Sequence, residues 1–195
     1  ASGRSASMRD YVSTAEFIDV LRDSRQTARE LDRGERKGDA SQFRPAAARR
    51  IADLIKDCPS EWLNRSEVLV ELGLAFGELA DFEQAAHYLS AALASDELDS
   101  CTTLAAVERL ANFESRLGER LATAVGADAA KRARGAASIE TAISRLITLG
   151  QLGQTAERLA LLAGCYKRLA QIRSDRDEIR LALDQSARHY QKAHE

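Results

Sequence analysis

Proline is nearly missing from this sequence of 195 residues, with Pro45 and Pro59 the only two. Proline breaks helix interiors by removing a donor and clashing with the preceding turn, so its scarcity leaves long helices permitted along the chain. Aromatic residues are only 5% of the total and β-branched residues are sparse, which removes the side chains that strands favour. Neither sign of charge is in excess: 28 basic and 30 acidic residues are interspersed and give a net charge of -2. No global field therefore draws nucleic acid or an anionic membrane. No stretch of about 18 uncharged residues occurs, which excludes an apolar membrane span of ordinary length. The N-terminal stretch lacks the apolar core of a signal peptide. Cysteine is scarce too. Cys58, Cys101 and Cys165 are odd in number and far apart, which fits reduced thiols in a cytoplasmic protein better than a disulfide framework.

What is present is a helical repertoire. Hydrophobic residues make up 45% and charged residues 30%, a globular balance, and Ala, Leu, Arg and Glu are good helix formers. Apolar residues recur at helical spacing almost throughout. The small polar residues from Ala1 to Ser7 read as a linker or a cloning remnant, extended to about residue 10. The periodicity then predicts a first helix over Tyr11 to Leu31 and a polar loop over Arg33 to Gln42 with Gly34 and Gly38. A second helix follows from Arg44 or Pro45 to Asp57, with Pro45 in its first turn. A third runs from Ser60 or Asn64 to Leu79, where Asn64 and Glu67 have the spacing of a capping box. A fourth covers Phe82 to Ala94 and a fifth Thr102 to Val125. Gly126 to Gly135, with the basic run Lys131 to Arg134, reads as a connector. The last three helices are expected over Ser138 to Leu149, Thr155 to Arg173 and Asp177 to Lys192.

Eight helices with connectors pair into four hairpins, at about 11–59, 60–98, 101–150 and 155–194, an arrangement that calls for a search for internal repeats. One hairpin carries a specific pattern. Leu72-Gly73 is followed by Phe76, then by the turn Ala80-Asp81, the small residue Ala85, and Leu89 and Ala92. Gly73, Ala85 and Ala92 are small where two helices would cross, while Leu72, Phe76 and Leu89 would fill the surrounding space. Leu159, Leu162, Ala163 and Tyr166 repeat the first-helix part, and Ser186, Tyr190 and Ala193 repeat the second after an extension. Ala47, Ile51 and Leu54, and Ala106, Val107, Leu110, Ile139, Ile143 and Leu146, are more degenerate copies, the latter set split by a long insertion.

On these residues the sequence resembles the tetratricopeptide repeat family. The resemblance implies an all-α fold of stacked antiparallel hairpins, an irregular right-handed α-solenoid of about eight helices. It also implies a non-catalytic protein-interaction module whose curved inner surface is lined by first helices. By the family's geometry the inner positions are Val70, Leu74 and Glu78, then Leu104, Glu108 and Asn112, then Lys167 and Arg168. Family members that clamp chaperone tails do so with Lys and Asn, whereas Val70 and Leu74 have no side-chain donors. That departure implies a different partner. The stretch from Ala156 to Ala170 further resembles repeat regions attached to bacterial caspase-like CHAT peptidases and the TRAF-binding region of MAP kinase kinase kinases. It implies the recognition or regulatory part of a larger bacterial signalling or defence protein, with a protein or peptide segment as partner.

Residues that could carry chemistry are few. No His-Glu-x-x-His, Cys-x-x-Cys, EF-hand, Gly-x-Ser-x-Gly or phosphate-cradling pattern occurs, so no catalytic residue, metal ligand or cofactor is expected. His87, His189 and His194 read as surface histidines, and the cysteines as packed thiols rather than nucleophiles. Lys131 to Arg134 lacks the aromatic neighbours that stack bases. Two alternatives stay open. Cys165 beside Tyr166, with the late histidines, leaves room for a helical enzyme or metal protein, and exposed end helices leave room for a homodimer.

Overall fold

The computed structural model describes residues 13–56, 58–95 and 97–195. The expected linker at residues 1–10, the first-helix start at Tyr11 and the second-helix end at Asp57 lie outside the described residues. Among those described the protein is all-α, with no strand and nine helices, eight of them paired in hairpins and one a single turn. The chain forms two compact units, divided between Leu98 and Asp99.

The first unit contains α1 (Thr14–Asp32), α2 (Ala40–Lys56), the single turn α3 (Ser60–Leu63), α4 (Ser66–Glu78) and α5 (Phe82–Leu93). Its core is α4 against α5, where the repeat pattern packs as its side chains require. Leu72, Ala85, Leu89 and Ala92 are fully buried. A Cβ on Gly73 would lie 2.6 Å from Leu89 Cγ and 3.2 Å from the Ala85 carbonyl, so only glycine lets the two helices approach this closely. The connecting turn closes the end of α4. Asp81 N–H donates to the Phe76 carbonyl (2.9 Å) and Ala80 N–H to that of Gly77 (3.1 Å), with Ala80 in the left-handed region at φ 62°. Asp81 then caps α5 by accepting from the Gln84 N–H.

The second unit contains α6 (Ser100–Thr123), α7 (Ala129–Leu152), α8 (Ala156–Ile172) and α9 (Arg176–His194). Each helix starts on an oxygen-bearing cap: Asp99, Asp128, Thr155 and Asp175 accept from backbone N–H groups of the first turns. The core is Ala111, Ile139, Ala142, Ile143, Leu146, Leu149, Leu162 and Cys165. Where α6 and α7 cross, Gly118 and Gly135 face each other, and a Cβ on either would collide with the carbonyl oxygen of the other.

Four expectations need correction. The basic run is not in a connector: Asp128 caps α7, so Lys131, Arg132 and Arg134 sit exposed on its first turns. Gly135 is a crossing residue inside that helix, and the supposed insertion of this hairpin is helix extension. Pro45 is not in the first turn of α2, because Asp39 starts the helix earlier by accepting from Ser41 and Phe43 N–H. Asn64 caps no helix start: it ends α3, Arg65 precedes α4, and no side chain caps it. That break divides the expected third helix into α3 and α4.

Replacing Gly118 by Ala should cost about 2 kcal/mol or more, because the obstruction is backbone and cannot swing aside. Gly150→Ala, also helical but with nothing within 4 Å of a built Cβ, should gain about 0.5–1 kcal/mol from helix propensity. Denaturant unfolding of the two variants should move in opposite directions.

Candidate functional site

The polar side chains of the first helices form the site's framework. In the first unit Glu71 on α4 accepts from Arg22 Nε (3.0 Å) and Arg25 Nη1 (3.1 Å) of α1. Two turns further on, Glu78 accepts from Arg29 Nε (3.0 Å) and Nη2 (2.6 Å). Partners advance in the same direction on both helices, so α1 and α4 run parallel, as successive first helices of a repeat do. The second unit repeats this with the charges exchanged. Glu108 on α6 accepts from Arg158 Nε of α8 (2.6 Å), and Glu119 accepts from Arg168 Nε (3.2 Å). Arg168 Nη1 also donates to Ser115 Oγ (3.4 Å). On the other side of α6, Arg145 holds both oxygens of Glu114 at 3.0 and 3.3 Å. Burial is the main influence on Glu114 and raises its pKa, and Arg145 opposes it.

The predicted inner positions fall on this framework in distinct ways. Glu78, Glu108 and Arg168 are engaged in the ion pairs between first helices. Leu104 packs against the core cluster of the second unit. Val70, Leu74 and Asn112 are half-buried, and Lys167 is exposed. The residues that sequence reasoning passed over are the partners: Arg22, Arg25, Arg29, Glu71, Ser115, Glu119 and Arg158. The matched spacing of Arg22, Arg25 and Arg29 with Glu71 and Glu78 was visible in the sequence, although nothing local says which helices pair.

Each unit also has a cleft. In the first unit a cavity of about 460 Å³ is lined by Pro45, Ala48, Arg49, Ala52 and Ile55 of α2, by Phe76, and by Asp81, Gln84 and Tyr88. In the second a cavity of about 380 Å³ is lined by Leu146, Ile147, Gly150 and Gln151 of α7, by Gln154, by Arg158, Leu159 and Leu162 of α8, and by His189 of α9. Each cleft carries a member of a stacked pair: Phe76 on Tyr88 (centroids 5.6 Å apart, planes 8°) and Tyr166 on His189 (5.7 Å, 5°).

His189 is therefore not the surface histidine expected from the sequence. It is half-buried, its Nδ1 has no hydrogen-bond partner, and desolvation, then Lys192, lower its pKa. His87 is exposed, with its ring at 73° to that of Tyr88. Burial pushes the Cys58 thiol up to about 11 and raises that of Cys165, which makes thiolate scarce at neutral pH. Among the described residues no group of three or more His, Cys, Asp and Glu could hold a metal ion. No helix among them is long and apolar enough to cross a membrane.

A family model described as Tetratricopeptide Repeats-Sensor matches residues 81–195, which is α5 to α9 and more than half of the chain. The chain belongs to this family. The match begins at Asp81, so α4, with its Leu-Gly signature, lies outside it. No curated protein and no solved structure matches the chain.

Stability should depend on His189 with a definite sign. Its folded pKa lies below the ordinary value of 6.5, so the unfolded chain binds the proton more readily. The stabilisation is complete above pH 6.5 and is lost as pH falls through the folded pKa. Urea unfolding at pH 7 and pH 5 should show this loss, and His189→Phe, which keeps a ring on Tyr166, should show a smaller one. An equal loss in both proteins would remove His189 as its source.

Proposed function

We propose that this member of the tetratricopeptide repeats-sensor family is a non-catalytic recognition module, the regulatory or sensing part of a larger bacterial signalling or defence protein. A tetratricopeptide-type repeat fold is a protein-interaction fold, and the family match over residues 81–195 carries the reading. The partner is a protein or peptide segment rather than nucleic acid or membrane. Interspersed charges and a net charge of -2 provide no broad basic footprint. The cytoplasm, where the three free thiols stay reduced, is the compartment that fits.

Recognition falls to the inner positions of the first helices: Val70, Leu74 and Glu78 on α4, Leu104, Glu108 and Asn112 on α6, and Lys167 and Arg168 on α8. They divide the work by chemistry. Half-buried Val70 and Leu74 present apolar area. Glu78, Glu108 and Arg168 are already held in place by ion pairs, so little side-chain entropy is lost when they meet a partner. Exposed Lys167 is the most accessible charge.

The test is capture of the partner from the native host by the wild-type chain, followed by affinity measurement with the identified segment. Leu74→Arg and Lys167→Glu should each weaken binding by about tenfold or more, roughly 1.4 kcal/mol, with unfolding midpoints showing that the fold is kept. Unchanged affinity in both variants, or no partner in the native host, would contradict the reading.

A further inference from the structure

The cleft of the second unit has a composition that the first-helix face does not explain. Its walls are aliphatic: Leu146 and Ile147 from α7, Leu159 and Leu162 from α8. Its polar side chains besides His189 are the amides of Gln151 and Gln154, each offering an NH2 donor beside an acceptor carbonyl, and the guanidinium of Arg158, which only donates. Arg158 Nε is taken by Glu108 and Nη1 by the Gly153 carbonyl (2.6 Å), and among the described residues no bond occupies Nη2. Among the described residues no aspartate or glutamate lines the cavity. α8 starts beside it, directly after Gln154, with Thr155 as cap, and places the positive end of a helix dipole at its edge. His189, whose Nδ1 is unpartnered, closes another side. The cleft of the first unit differs on the deciding point, since Asp81 puts a carboxylate in its wall.

We infer that this cleft of about 380 Å³ is a binding site for a small free molecule with an apolar body and one carboxylate. The aliphatic walls would take the body. Arg158 Nη2 and the two glutamine amides would take the charge; the Glu108 carboxylate holds Nε of the same guanidinium but does not line the cavity. The volume lies in the range of about 300–1,000 Å³ usual for small-ligand sites, and an apolar pocket with a few convergent polar groups is their general form. A carboxylate bound here would lie on the same guanidinium that ties α8 to α6, giving the ligand a physical connection to the first-helix framework.

The test uses phenylpropanoate and its uncharged amide, followed by methyl and amide NMR on the whole chain. The acid should shift the signals of Leu146, Ile147, Leu159, Leu162 and His189 with a Kd of about 1 mM or tighter. The amide should bind at least tenfold more weakly. Gln151→Glu places a carboxylate in the lining at an exposed, nearly isosteric position and should weaken the acid at least tenfold more than it weakens the amide. Equal binding of acid and amide, unmoved signals at these residues, or indifference to Gln151→Glu would overturn the assignment. So would binding here of a peptide ending in Leu when the free acid fails to bind.

Discussion

The close approach of helix backbones is the constraint on which the rest of this structure depends. In the α4–α5 hairpin it requires Gly73 against Leu89 and the Ala85 carbonyl, and in the α6–α7 hairpin it requires Gly118 against Gly135. A methyl group at any of these glycines must displace a neighbour, and at Gly118 and Gly135 the neighbour is backbone. Glycine in a helix interior costs about 1 kcal/mol in propensity relative to alanine. Its presence at these points marks where packing outweighs propensity. Around each crossing the large side chains, Leu72 and Leu89 in one unit and Ile139 and Leu146 in the other, are buried almost completely.

Once the hairpins are closed, the first helices lie side by side within each unit, and their polar faces are matched by charge. Glu71 and Glu78 receive three arginines from α1, and Glu108 and Glu119 receive two from α8. The more accessible of these pairs, such as Arg29 with Glu78 at side-chain exposures of 37% and 27%, contribute modestly to stability. The pairs fix register, because a carboxylate with a side-chain exposure of 12%, as at Glu71, is poorly tolerated opposite anything but a cation. The same matching holds Glu78 in the first unit and Glu108 and Arg168 in the second in fixed positions.

Helix content and the best hairpin were legible in the sequence because they rest on local signals: scarce proline, apolar residues at helical spacing, and Leu72-Gly73 with Phe76, Ala85 and Leu89. Gly135 was misread because a glycine near a basic run looks like linker until Gly118 is known to oppose it. The early start of α2 rests on Asp39, a cap hidden in a stretch rich in glycine and charge. The cleft in the second unit was invisible for a similar reason. Ile147, Gln151, Arg158 and His189 are spread over three helices and share no motif, so only tertiary packing brings them to one cavity. The stack of His189 on Tyr166 was equally non-local, although Tyr88 and Phe76 offered a parallel in the other unit.

The central claim is that charge pairing sets parallel first helices in register, and the pair of Glu108 with Arg158 tests it most directly, since both side chains are largely buried. Glu108→Arg and Arg158→Glu, made singly and together, form a double-mutant cycle read by denaturant unfolding. Each single exchange should destabilise the protein by about 2 kcal/mol or more, and the double exchange should recover most of the loss, a coupling of about 1–3 kcal/mol. Additive losses, with coupling below about 0.5 kcal/mol, would contradict the pairing and the register built on it.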